Sequence, residues 1–266
     1  MYDMYGYSTS MFLINSFIFE TASATDPDAD AFISATGITD ATQKSAINTL
    51  VVDLKGYSLW TKMDALYPFV GGTSTTHKYN LKNPLDTDAA FRLVFYGGIT
   101  HDANGMTGNN VNSSADTFLS DANDLDINDK HISMYQRNVL SSPSNTSMGV
   151  NSTCYFYLNF SGNNYSTLGM NQSAFTVATP QKGTFIMSKI ISGEFKYFQN
   201  SLTAVTKTGT NNSSTNTYRI LSSESGSGSS FANIAFSSIG SGLSATEVTD
   251  LRTSIETFQT TLSRNV

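Results

Sequence analysis

The run Phe231-Ala-Asn-Ile-Ala-Phe-Ser-Ser-Ile-Gly240, followed by Ser241-Gly-Leu-Ser-Ala-Thr-Glu247, decides how this chain is read. Phe231, Ile234 and Phe236 stand in an uncharged, serine-rich segment, the mark of a strand closed by the glycine turn at Gly240 and Gly242. Ser244 and Glu247 have the spacing at which each side chain satisfies the other's orphan backbone N–H at a helix start. Val248, Leu251, Ile255, Phe258 and Leu262 follow at steps of three and four, one apolar stripe of an amphipathic helix. The chain is therefore expected to close on a sheet strand that feeds a helix packed against a core.

Working outward, residues 71–238 are dominated by Ser, Thr, Asn and Gly between short apolar or aromatic runs. Candidate strands are 77–81, 90–99, 117–119, 132–137, 153–160, 174–178, 184–190, 195–198, 217–221 and 231–236. Turn signals between them fit a mainly β fold, a two-sheet antiparallel jelly-roll sandwich with N-terminal helices and one C-terminal helix.

Residues 26–70 have helical patterning. Asp26-Pro27 reads as a cap and first turn, and Gly37 as a stop. Asp40 is placed to cap a second helix with Ala46, Ile47, Leu50, Val51 and Leu54 inward. Leu59, Trp60, Met63 and Leu66 predict a third short helix over 58–67, ended by Pro68, with Trp60 in its core stripe. Residues 1–25 carry the apolar run Met11, Phe12, Leu13, Ile14, Phe17, Ile18 and Phe19, expected to anchor the chain to a neighbouring surface. The first ten residues hold Asp3 and no Lys or Arg, so the basic start of a secretion signal is missing. The run is also shorter than the ~20 apolar residues that cross a bilayer. The chain is thus expected to divide into an anchoring segment 1–25, a helical segment 26–70 and a sandwich 71–266.

Only 14% of the 266 residues are charged, against roughly 25% in ordinary globular proteins. A net charge of −6 without any Lys/Arg cluster argues against nucleic-acid binding. The lone Cys154, in Thr-Cys-Tyr-Phe-Tyr-Leu, reads as a buried strand position and needs no oxidising compartment.

Candidate chemistry is sparse. A glycosidase needs two facing carboxylates, yet Glu194 stands alone and Glu224 lies in a Ser/Gly loop. Asp121, Asp124, Asp126 and Asp129 are dense, but a calcium loop read from Asp124 puts Asp129 where Gly belongs and Tyr135 where the bidentate Glu belongs. Leu125 and Ile127 alternate with these acids as in a half-exposed strand. His77, His101 and His131 lack ligand spacing. No metal, cofactor or catalytic residue is expected. His101, Asp102, Asn104, Asn109 and Asn110, and Asn163, Asn164 and Tyr165, are read as two rim loops whose amides and ring suit sugar hydroxyls and C–H faces.

Three stretches carry a family resemblance: Asp26-Pro-Asp-Ala-Asp-Ala-Phe-Ile-Ser-Ala-Thr-Gly-Ile-Thr-Asp40, Leu59-Trp-Thr-Lys-Met-Asp-Ala-Leu-Tyr-Pro-Phe-Val-Gly-Gly72 and the closing Gly242-Leu-Ser-Ala-Thr-Glu247 with Phe258-Gln-Thr-Thr-Leu-Ser-Arg264. Together they resemble bacteriophage virion proteins, of tail-fibre or head-fibre type, that carry a concanavalin A-like, laminin-G-type domain. The resemblance spans about 26–266 and is specific to the module rather than to a ligand. It implies a non-enzymatic appendage protein made in the host cytoplasm and displayed on the virion. The partners it implies are other virion proteins, sister subunits (a trimer) and a host-surface polysaccharide.

Overall fold

The computed structural model describes residues 25–140, 146–151, 153–160, 163–171, 182–200, 203–223 and 229–266. Helices α1 (Pro27–Thr36) and α2 (Ala41–Gly56) precede a 3₁₀ turn (Trp60–Lys62), β1 (Met63–Tyr67), the single-turn α3 (Ser74–His77) and a second 3₁₀ turn (Asp88–Ala90). Then come β2 (Val94–Tyr96), β3 (Thr100–Asp102), β4 (Gly105–Thr107), β5 (Ser114–Ser120), β6 (Lys130–Gln136), β7 (Thr146–Val150), β8 (Cys154–Phe160) and β9 (Asn163–Leu168). The chain continues through β10 (Met170–Asn171), β11 (Gly183–Ile191), β12 (Glu194–Gln199), β13 (Val205–Thr208), β14 (Thr210–Asn211) and β15 (Thr217–Ile220), and ends with β16 (Asn233–Gly240) and α4 (Ala245–Thr261).

Among the described residues these strands build an eight-stranded sheet, ordered β13-β12-β11-β6-β16-β4-β3 with β1 also on β16, and a six-stranded sheet, ordered β2-β5-β15-β7-β8-β9. Each pairing within them is antiparallel, as in the ladders of β6 with β11 and β16. The expected mainly β, two-sheet antiparallel sandwich, with helices near both ends of the sequence, is what the structure has.

Strand alternation sorts the core into two layers. Ile132, Met134, Phe185, Met187, Ile234 and Ile239 of the large sheet meet Ala115, Met148, Phe156, Tyr218 and Ile220 of the small one. On the other face of the large sheet, Tyr135, Ile186, Ala235 and Phe236 pack under Leu50, Leu54, Val248, Leu251, Ile255 and Phe258 of α2 and α4. A register shift between Ile234 and Phe236 lets β16 serve both layers.

The helix ends follow local chemistry. Asp26 caps α1 by accepting Asp28 N–H, Gly37 closes it in the left-handed region at φ 68°, and Asp40 caps α2 by accepting Gln43 N–H. Ser244 and Glu247 make both bonds of a capping box on α4.

Several expectations are corrected. The helix predicted over 58–67 is instead a 3₁₀ turn followed by β1, which pairs with β16 from Met63 to Tyr67. Met63 and Leu66 face the helices while Ala65 and Tyr67 face the small sheet. A strand apolar on both faces shows no period of two, and its residues mimic helical spacing. Residues 77–81 form no strand: Asn80 accepts Leu66 N–H at 2.9 Å and donates to Asp64 and Ala90 carbonyls at 3.0 and 3.1 Å, replacing ladder partners. The long strand over 90–99 reduces to β2, because Phe91 and Gly97 adopt φ 57° and 69°. Residues 121–129 are turns rather than a half-exposed strand. The candidate strand 174–178 lies outside the described residues.

Candidate functional site

The two groups of sequence-predicted sugar contacts do not come together. His101 and Asp102 lie in β3, on one edge of the large sheet, and Asn104 follows in the tight connection to β4. His101 is held from two sides: its Nδ1 lies 3.0 Å from Nδ1 of His77, and its ring meets Phe95 edge-on at 4.6 Å. Burial depresses both histidines, His77 to about 3, so the pair stays neutral. Asp102 accepts Asn104 N–H at 2.7 Å, an Asx turn. Asn109 accepts the N–H groups of Val111, Asn112 and Ser113 and donates to Asn112, so its amide shapes the loop. Asn110 supplies a residue at φ 58°.

Asn163, Asn164 and Tyr165 form no rim loop. They belong to β9, at the small-sheet edge opposite β2. Asn164 points inward and donates to Gln199 at 3.2 Å, while the side chain of Asn163 lies outside the described residues. Met11, Phe12, Leu13, Ile14, Phe17, Ile18 and Phe19 also lie outside them.

The sheet places a different set of residues in one surface. The helices cover the large sheet, whereas the apolar core residues of the small sheet lie on its inner face. Along β8, Cys154, Phe156 and Leu158 are fully buried, so Tyr155 and Tyr157 project outward. Tyr165 is the ladder partner of Tyr157 and shares that face. Register then lines up Val94, Asp116, Arg219, Gly149, Tyr155 and Thr167 across all six strands.

Local chemistry stiffens this row. Arg219 Nη2 lies 2.5 Å from Asp116 Oδ2, its Nη1 donates to Ser114 Oγ at 2.9 Å, and its guanidinium sits 5.6 Å from the ring centre of Tyr96. Asp116 also accepts Phe118 N–H and the Thr217 hydroxyl. Gly149 must lack a side chain, since a Cβ there would lie 2.4 Å from Cys154 O and 2.7 Å from Tyr155 Cβ. Gly149 therefore leaves no side chain between the Arg219–Asp116 pair and Tyr155 in this row. At ~4.8 Å per strand, Tyr96 and Tyr155 are about 19 Å apart across the sheet. Burial raises both Tyr155 and Tyr157, so they remain hydroxyl donors.

A groove of about 490 Å³ runs beside α4, lined by Tyr135, Asn200, Thr253, Glu256, Thr257 and Thr260 among others. Its carboxylate, Glu256, is paired with Arg252 at 2.7 Å. Asp116 and Glu256 are each paired with an arginine. Among the described residues no group of three or more His, Cys, Asp or Glu could hold a metal. Within this acidic stretch Asp121 pairs with Lys130, Asp124 accepts Ser120 N–H, and Asp129 accepts Gly242 N–H.

The molecule is thus a two-sheet antiparallel β-sandwich with a helical layer on one side and an aromatic-bearing sheet face on the other. No protein-family model matches the chain, and no curated protein does. Among solved structures it is similar to domain 4 of AbnA, a GH43 extracellular arabinanase from Geobacillus stearothermophilus, in complex with arabinotriose. The identity is 14%, over 72% of this chain and 98% of that one, with a TM-score of 0.41. It is also similar to Trypanosoma rangeli sialidase, at 8% identity and TM-score 0.47, where 79% of this chain spans 39% of that one. Likenesses this weak say nothing of ligand or chemistry.

Proposed function

We propose that the chain is a non-catalytic glycan-binding module, holding an extended neutral polysaccharide across the outer face of the six-stranded sheet. The carrying observation is the row from Val94 through Asp116, Arg219 and Gly149 to Tyr155, with Tyr96 under the Arg219 guanidinium and Tyr157 and Tyr165 on the same face. Aromatic rings suit the C–H faces of sugars, fixed hydroxyls suit their O–H groups, and the Arg219–Asp116 pair leaves the row without net charge. A single carboxylate already bound to an arginine supports binding over hydrolysis, which needs two. The sequence resemblance supports the wider reading: a bacteriophage appendage protein, attached through 11–19 to other virion proteins or sister subunits in a trimer. Weak contacts to host-surface polysaccharide would then add through multivalent display.

Affinity electrophoresis through gels containing neutral polysaccharides (arabinan, dextran, β-glucan) or host envelope polysaccharide tests the site. Retardation of the full chain in at least one gel is expected. Tyr155→Ala should weaken that retardation at least tenfold, about 1.4 kcal/mol, without lowering the melting temperature by more than a few degrees. Free migration in every gel would leave a structural decoration protein without ligand. Mass spectrometry of purified particles tests the virion assignment separately.

A further inference from the structure

The space between the two sheets holds a polar cluster that glycan binding does not use. Asp121 directly follows β5 of the small sheet and Lys130 opens β6 of the large one, and both side chains are 0% exposed with Nζ 2.5 Å from Oδ1. The same carboxylate oxygen accepts the Tyr218 hydroxyl at 2.6 Å and the Cys154 thiol at 3.5 Å. Its other oxygen accepts Ser214 N–H at 3.3 Å. A second buried lysine, Lys189, donates to Asn211 Oδ1 at 2.6 Å and to Gly169 O at 3.3 Å. Burial, and then the charge of Lys130, hold Lys189 below the ordinary lysine range. Lys189 is thus spent on neutral acceptors, and Asp121 is left to Lys130 as its ion-pair partner. A glycine lets the chain close over them, since a Cβ on Gly169 would lie 2.6 Å from Lys130 Nζ. Desolvation offsets much of the attraction within such a pair. One proton transfer, from Nζ to the carboxylate, leaves an amine beside a carboxylic acid.

We propose that Asp121 and Lys130 condense to an internal amide that cross-links the two sheets. After the proton transfer, the Nζ lone pair forms a bond to Cγ of Asp121. The Tyr218 hydroxyl and Ser214 N–H hold the oxygens of the tetrahedral intermediate, as donors do in an oxyanion site. The C–O bond then breaks, and the hydroxyl leaves as water with one proton taken from the nitrogen. No oxidant, reductant or activating group is consumed. The Cys154 thiol, pushed up to about 12 by burial, stays protonated and does not compete as a nucleophile. The product removes both buried charges and ties the end of β5 to the start of β6, a covalent clamp suited to an exposed, mechanically loaded domain.

Intact-mass measurement of the purified full chain decides the matter. The wild type is expected one water lighter than its sequence mass, and proteolysis should give a branched peptide joining the segments around Asp121 and Lys130. Lys130→Arg, which keeps the charge but has no reactive amine, is expected at its full sequence mass. A wild type at full sequence mass overturns the proposal, as does a lighter one whose Asp121 and Lys130 peptides are unbranched. The wild-type result stands even if the variant fails to fold.

Discussion

Arg264 brings a guanidinium into a site 2% exposed, where among the described residues no carboxylate pairs with it. Its donors end on backbone: Nη1 on Phe69 O at 2.8 Å, and Nη2 on Pro68 O and Ala235 O at 3.1 Å each, with Nε on Gln259 Oε1 at 2.9 Å. Burial pulls its pKa down to about 9, the cost of holding a cation there. The residue thus pins the C-terminal helix to β16 and to the connection after β1. Arg264→Met keeps the bulk but takes the side-chain donor from the buried Phe69 and Pro68 carbonyls and leaves Ala235 O with only the 3.4 Å bond from Gln259 Nε2, each lost donor costing ~1–3 kcal/mol. At about 2–4 °C per kcal/mol for a chain of this size, the melting temperature should fall by roughly 10 °C; calorimetry finding a drop under 3 °C would refute this role. Little of it was legible, because Arg264 and Phe69 are 195 positions apart. The candidate face is similar. The alternation of Cys154, Tyr155, Phe156, Tyr157 and Leu158 can be read directly, and it puts tyrosines outside. The juxtaposition of Asp116, Arg219 and Gly149 cannot, since it depends on register among β5, β15 and β7. Asn109 and Asn164 attract attention by side-chain type, yet their amides are spent on a loop and on Gln199.

Elements with one buried face announced themselves. The stripe Val248, Leu251, Ile255 and Phe258 is buried as its spacing requires, and the first turn of α4 is fixed by reciprocal bonds between Ser244 and Glu247. Glu247 also pairs with Lys62 at 2.7 Å, tying the helix start to the turn before β1. Ser244→Ala should therefore cost ~1 kcal/mol, the usual worth of a cap, seen as a lower urea midpoint with unchanged slope. Glu247→Ala should cost more, because it loses the cap and the ion pair together; equal midpoints for the two variants would deny Lys62 a part. Elements buried on both sides were harder to read. β1 is sandwiched between helices and the small sheet, and its apolar residues fall on both faces, so periodicity names the wrong structure. β3 and β4 were missed for the opposite reason: three residues each, with Gly105 and Gly108 pressed against β16 and Ser230, they carry almost no hydrophobic pattern.

At the scale of the whole molecule, two buried histidines tie stability to pH. His131 is completely buried in the large sheet under the loop that opens α4. Its Nδ1 lies 2.6 Å from the Ser241 carbonyl, so Nδ1 carries the hydrogen and Nε2 accepts the Ser238 hydroxyl at 3.0 Å. Protonation would turn that acceptor into a second donor inside the core, and burial lowers the pKa to about 4. His77, buried beside Phe69, is lowered to about 3 for the same reason. In the unfolded chain both titrate near 6.5. Above that value neither state binds the proton, and the histidines exert no pH dependence. As pH falls from about 6.5 toward 4, the unfolded chain takes up protons that the folded one refuses, and stability is lost throughout that window. At ~1.4 kcal/mol per pH unit, His131 alone accounts for up to about 3 kcal/mol, a large part of the 5–15 kcal/mol typical of a domain. Urea midpoints between pH 7.5 and 4.5 should decline steadily on the acid side, and His131→Gln should flatten that decline. A wild-type profile level between pH 6.5 and 4.5 would mean that both histidines protonate in the folded state, and that the seam joining β6, β16 and the start of α4 is open to water.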